Sequence, residues 1–223
     1  MTELYIDSKV HRLRELHSQI LEIDRNTISI KEVLERQAQN ILEAHLIGND
    51  AVTFHLASWS PQFIGMQTRE IMSSTLTLEQ AKQTIAREYG YSEWASVQSL
   101  GNRKYDVNFE RAIDYVITGQ IESLSKLVGS FPQLIKQTSQ HPHSATLLHY
   151  LAANGVESHR QITPLNAVDV ASYLIGAGSV VNATANVYGG ENTTLALLLT
   201  SAHPTNAGVV DELSNVLRKA GAA

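Results

Sequence analysis

The sequence predicts an all-α fold, in which a short stack of paired-helix repeats over 106–223 follows a helical N-terminal region over 1–105. Two observations carry that prediction. Apolar residues recur at three- and four-residue spacing through the first half, and runs that alternate apolar with polar residues are scarce, 179–182 being the exception. The second half is self-similar: 146–153 aligns with 193–200 and 173–178 with 216–221, so each unit reads helix, connection, helix, glycine. A unit of that kind cannot bury its apolar face alone and has to lean on a neighbour.

Along the chain, Val10, Leu13, Leu16, Ile20 and Ile23 form one helical stripe and predict a helix over 9–23. A second helix, 30–47, opens with Ser29 and Glu32 placed to satisfy each other's backbone N–H groups, and Gly48 ends it. A third short helix fits 50–58 ahead of Pro61, while 62–74 shows no period and reads as loop. Thr77 with Gln80 repeats the capping logic for a helix to Tyr89 closed by Gly90, and Ser92 opens another that carries Trp94 and Val97 up to Gly101. The segment 101–105 is the domain boundary, and all five prolines, at 61, 132, 142, 164 and 204, fall in connections.

Composition limits the function classes. A formal charge of -5 with no run of Lys or Arg leaves no footprint for nucleic acid or an anionic membrane. The absence of cysteine removes disulfides, thiolate nucleophiles and cysteine-ligated zinc, and is compatible with a reducing compartment. The opening residues lack the apolar core of a secretory signal, and the densest apolar patch, from Leu195 to Leu199, is far short of the ~20 residues of a membrane span. A cytoplasmic location is expected. On that expectation the Asn-x-Thr sequons at Asn182 and Asn192 are chance matches.

Thr146, Leu148, His149, Ala152, Ala153 and Gly155, followed by Leu174, Gly178, Val181, Asn182 and Ala183, together resemble the ankyrin repeat. A weaker unit over 109–128 keeps Gly119, Ile121, Glu122 and Leu124 at the spacing of that family's turn and second helix, making three units. The usual proline is replaced by Leu147 and Thr194, the usual aspartate by Val180, and the two later units are lengthened by insertions over 156–166 and 202–208 that contain Pro164 and Pro204. This expanded form, with Tyr188, Gly189 and Gly190 ahead of Thr193, looks like a variant of bacterial ankyrin proteins, and 86–94 resembles a helical segment that often precedes such repeats. The resemblance implies a protein-protein interaction module that contacts its partner through loop tips and inner helices.

No catalytic residue, metal site or cofactor is expected. His149 fills the family's Thr-x-x-His position, a hydrogen-bonding role within the turn. His141 and His143 offer two imidazoles on a turn, with no partner carboxylate or thiolate nearby, where a metal site needs three or four ligands. The glycine-rich run 188–194 lacks the Lys-Ser/Thr ending of a phosphate loop and reads as a tight turn, and Trp59 and Trp94 read as core anchors. The expected partner contacts are His159, Arg160 and Gln161, then Tyr188, Glu191 and Asn192, then His203, Thr205 and Asn206, with the partner another protein and the oligomeric state open. The alternative is an enzyme or small-ligand protein that uses His45, His55 or Glu88 at a site between the N-terminal helices and the repeats.

Overall fold

The computed structural model describes residues 2–223, which divide into two compact units: Ser8–Tyr105, and residues 2–7 together with 106–223. The first unit comprises α1 (Ser8–Leu16), α2 (Ser18–Leu21), α3 (Ile30–Leu46), α4 (Thr53–Trp59), α5 (Thr68–Ser73), α6 (Leu78–Glu88) and α7 (Trp94–Gln98). Its axis is α3, which buries Ile30, Val33, Leu34, Ala38, Ile41 and Ala44 on one face and packs them against α6, with α4 also on α6. Each fully buried Leu or Ile contributes about 1.5–3 kcal/mol, so this stripe dominates the unit. Trp59 and Trp94 are both buried.

Caps explain where these helices begin. Thr77 Oγ1 accepts from the Gln80 N–H while Gln80 Oε1 accepts from the Thr77 N–H, a complete capping box. Ser29 accepts from the Glu32 N–H, but the Glu32 carboxylate pairs with Arg36 instead of returning the bond. Two expectations are corrected. The stretch 62–74 is not all loop: α5 forms, started by the reciprocal Gln67–Glu70 box, and it buries only Ile71, too little to leave a period in the sequence. The helix over 9–23 breaks at His17, which turns inward while its carbonyl accepts from the N–H groups of both Ile20 and Leu21.

The second unit comprises β1 (Leu4–Tyr5), α8 (Val107–Ile117), α9 (Ile121–Ser130), α10 (Leu147–Tyr150), β2 (Thr163–Pro164), α11 (Ala167–Gly176), β3 (Thr184–Val187), β4 (Gly190–Thr193), α12 (Thr194–Leu199), α13 (Ala202–Asn206) and α14 (Val210–Lys219). Helix α8 packs on α9 and α10, α10 on α11 and α12, α11 on α9 and α14, and α12 on α14. Phe109, Ile113, Leu124, Leu148, Tyr150, Leu174, Leu198 and Leu217 are among its buried residues.

The predicted fold class, an all-α ankyrin-type helical stack, is corrected here. The chain is mostly helical but carries two antiparallel sheets, β1 with β2 (Leu4↔Pro164, Tyr5↔Thr163) and β3 with β4 (Thr184↔Thr193, Val187↔Gly190). Residues 2–7 therefore belong with the second half and not with the N-terminal helices. The sheets escaped sequence reading because one joins two-residue strands about 160 residues apart and the other mixes its Thr and Val with Asn, Gly, Ala and Glu, which are depleted in strands. The alternating run 179–182 is not a strand, Pro164 lies in one, and Pro204 lies inside α13.

Gly119 shows how the second unit closes on itself. It turns the chain between α8 and α9 at φ +68°, and its carbonyl accepts from Asn166 Nδ2 at 3.0 Å and Thr2 Oγ1 at 3.3 Å. A Cβ there would collide with Asn166 Oδ1 and lie 2.8 Å from Thr2 Cγ2. Gly119→Ala is therefore expected to lower stability by about 2 kcal/mol or more, combining left-handed strain with overpacking, measured as a shift of the urea unfolding midpoint.

Candidate functional site

The side chains that β3, β4 and α12 place at the surface begin with a two-residue hairpin turn. Tyr188 and Gly189 both hold positive φ, +54° and +79°, as a twist-matched hairpin of this length requires. Asparagine or glycine is the usual first residue of such a turn; a tyrosine there costs on the order of 1–2 kcal/mol. The compensation is visible: Tyr188 O–H donates to Asn154 Oδ1 at 2.7 Å, and the Asn154 amide donates to Leu197 O and Thr200 Oγ1, each at 3.0 Å. One side chain thereby fastens the hairpin turn to the end of α12. Beneath it Gly155, at φ +71°, makes room for Val187, whose Cγ2 would lie 2.9 Å from a Cβ at that position.

Helix α12 starts at Thr193, whose hydroxyl accepts from the Ala196 N–H, and buries Leu195, Leu197 and Leu198. Its other face presents Ala196, Leu199 and Thr200, one helical turn apart. Tyr188 and Leu199 are 60% and 53% exposed, so an aromatic and a branched apolar side chain stand at the surface. Glu191, on β4, is exposed as well.

The other expected contact residues fare differently. Asn192 is committed to the hairpin, its amide donating to Val187 O and Gly190 O. His203 is half-buried with Nε2 3.2 Å from Gln161 Oε1, whereas Thr205 and Asn206 are exposed on α13. His159, Arg160 and Gln161 are buried, which corrects their assignment to a partner-facing loop. The Arg160 guanidinium donates to Glu110 Oε2 at 2.6 Å and approaches Glu157 Oε1 at 3.5 Å and Asp114 Oδ1 at 3.8 Å. A hydrophilic, proline-bearing insertion looks like surface in a sequence, and nothing local reveals that its charges pair inward.

This cluster is electrostatically coupled. Burial alone would raise the Glu157 carboxyl, but the Arg160 charge and the neighbouring His143 hold it well below the usual carboxylate range. Burial would likewise lower Arg160, and Glu110 and Glu157 outweigh it. Burial, then the Glu157 charge, pushes the Tyr150 phenol well above its usual range, with its oxygen 3.4 Å from Glu157 Oε1. His143 Nε2 lies 3.8 Å from that same carboxylate, so the sequence reading that it lacks a carboxylate neighbour is also corrected. Among the described residues no three His, Asp or Glu side chains are grouped to hold a metal ion.

His149 does what its position in the Thr-x-x-His pattern suggests. Its Nδ1 accepts from the Thr146 N–H at 3.1 Å, which puts the ring proton on Nε2, 3.3 Å from Asn192 O. Burial lowers its pKa to about 4. In the first unit, His55 Nδ1 and Glu88 Oε2 lie 2.7 Å apart in the interior, and His45 Nε2 donates to Ile71 O at 3.0 Å. Sequence reading missed their neighbour His17, because its inward turn depends on a helix break with no glycine or proline to announce it.

Comparison with protein-family models, with characterised proteins and with solved structures returned no match. The resemblance to the ankyrin family rests on the motif residues alone. Among the described residues no helix is long and apolar enough to cross a membrane.

Two outcomes follow from the second unit's buried charges. Arg160→Leu leaves Glu110 and Glu157 buried without their cation and is expected to cost about 3–5 kcal/mol, read from chemical unfolding. His149 has a folded pKa below its unfolded value near 6.5, so its contribution is intact above pH 6.5 and lost as pH falls towards about 4. His149→Gln should lower stability at pH 7.5 while flattening its fall over that window in calorimetric scans.

Proposed function

We propose that the chain is a non-catalytic protein-binding module whose contact face is the β3–β4 turn with the exposed side of α12. The observation that carries this reading is Tyr188: a strained, exposed aromatic residue whose hydroxyl is tied to Asn154. Strain at an exposed position is retained where it places a side chain for use. Tyrosine is enriched among the residues that dominate protein interfaces, and a side chain already held in place loses less entropy on binding. Leu199 extends the apolar part of the face, with Glu191 and Thr200 as its polar surroundings. Thr205 and Asn206 on α13 are kept as secondary contacts. The proposed setting is cytoplasmic, with which the absence of cysteine is compatible.

The test is affinity capture with the full chain from cells that express it, followed by titration of the captured protein. Tyr188→Ala and Leu199→Glu are each expected to weaken binding tenfold or more, about 1.4 kcal/mol, with thermal midpoints within 2 °C or so of the parent. Asn154→Ala should weaken it less, by freeing Tyr188 without removing it. An unaltered set of bound proteins for both Tyr188→Ala and Leu199→Glu would exclude this face.

A further inference from the structure

The interior of the Ser8–Tyr105 unit holds a run of polar side chains that protein binding does not use. His17, at the joint of α1 and α2, points Nε2 at the Nε2 of His55 on α4, 3.2 Å away, with the rings edge to face and centroids 5.3 Å apart. His55 Nδ1 lies 2.7 Å from Oε2 of Glu88, the last residue of α6, and His17 Nδ1 lies 3.5 Å from the amide nitrogen of Asn40 on α3. His17, His55 and Glu88 are 0%, 1% and 2% exposed.

Proton positions follow from hydrogen bonding alone. Asn40 Nδ2 donates to Leu16 O at 3.1 Å, and a carbonyl can only accept, so the amide group is oriented with its N–H side towards His17. His17 Nδ1 is then the acceptor and its proton sits on Nε2, which donates to His55 Nε2; that leaves the His55 proton on Nδ1, the nitrogen 2.7 Å from Glu88 Oε2. The pair carries two protons in this arrangement. Any third proton sets two N–H groups face to face, either between the imidazoles or between His17 and Asn40.

We infer that the His17–His55 contact is an acid-sensitive latch, which fastens the α1–α2 segment to α3 and α4 while the pair holds two protons and opens when it takes a third. The groups facing the pair are Glu88 from α6, Asn40 from α3 and the Leu16 carbonyl of α1; Asp50, in the turn after α3, is committed to Arg12 at the surface. Burial, and next the His55 charge, hold His17 well below its usual range. The unfolded segment therefore takes up the proton first: the latch is closed above about pH 6.5 and loses hold below it. Opening frees Val10, Leu13 and Ile20, which are buried in the closed state.

Hydrogen–deuterium exchange on the full chain at pH 7.5 and 5.0, corrected for intrinsic rates, tests the latch. Peptides within 8–24 are expected to exchange at least tenfold faster at pH 5.0, while peptides within 78–98 stay protected. Imidazole nitrogen NMR on the parent chain is expected to show His17 neutral with its proton on Nε2 throughout the closed range. A folded His17→Gln variant, which has no proton to take up, should lose the pH dependence; should it fail to fold, the parent measurements decide. Equal protection of 8–24 at both pH values, simple titration of His17 near 6.5 with that segment still protected, or an unchanged pH response in folded His17→Gln would each overturn the inference.

Discussion

A charge taken out of water has to be answered by another charge, and Arg160 imposes that condition on the second unit. Its guanidinium ties Glu110 on α8 to Glu157 in the connection after α10, with Tyr150 and His143 drawn in through the same Glu157 carboxylate. Replacing such a network with apolar residues is often neutral or stabilising, so it contributes less to net stability than to fixing which segments meet. The segment 156–163 has little regular structure of its own, yet every residue in it is buried. Its paired charges share that burial with only two apolar residues, Val156 and Ile162.

The surface proposed for binding is built on the same unit's hydrogen bonds. Gly155 admits Val187, Val187 anchors β3, and Asn154 joins the turn at Tyr188 to the end of α12. His149 completes the support by reaching the Asn192 carbonyl on β4. Polar groups thus decide where the hairpin sits, while the apolar residues behind it supply most of the burial.

Much of the helical content was legible because amphipathic periods and caps are local. The α3 stripe, the Thr77–Gln80 box and the Thr146–His149 pair can each be read within a few residues. What escaped was non-local. The pairing of Leu4 with Pro164, the inward turn of His17 and the burial of 159–161 all depend on partners tens of residues away or more. The all-α prediction failed for that reason: a two-residue strand has no periodicity, and only its partner defines it. At the candidate site Tyr188 and Glu191 were legible from the glycine-rich run, but Leu199 looked like one more core leucine in a run of them.

The Asn154 bridge separates what the binding face is made of from what holds it up. Gly155 and Val187 answer to each other, and Asn154 answers to Tyr188, Leu197 and Thr200, so a change in one has to be met by its partners. Positions 191 and 199 face solvent and carry no obligation of comparable weight, whereas Tyr188 both faces solvent and holds one end of the bridge. Over evolutionary time such a surface can change partners by exchanging outward side chains such as those at 191 and 199, leaving the scaffold beneath them intact.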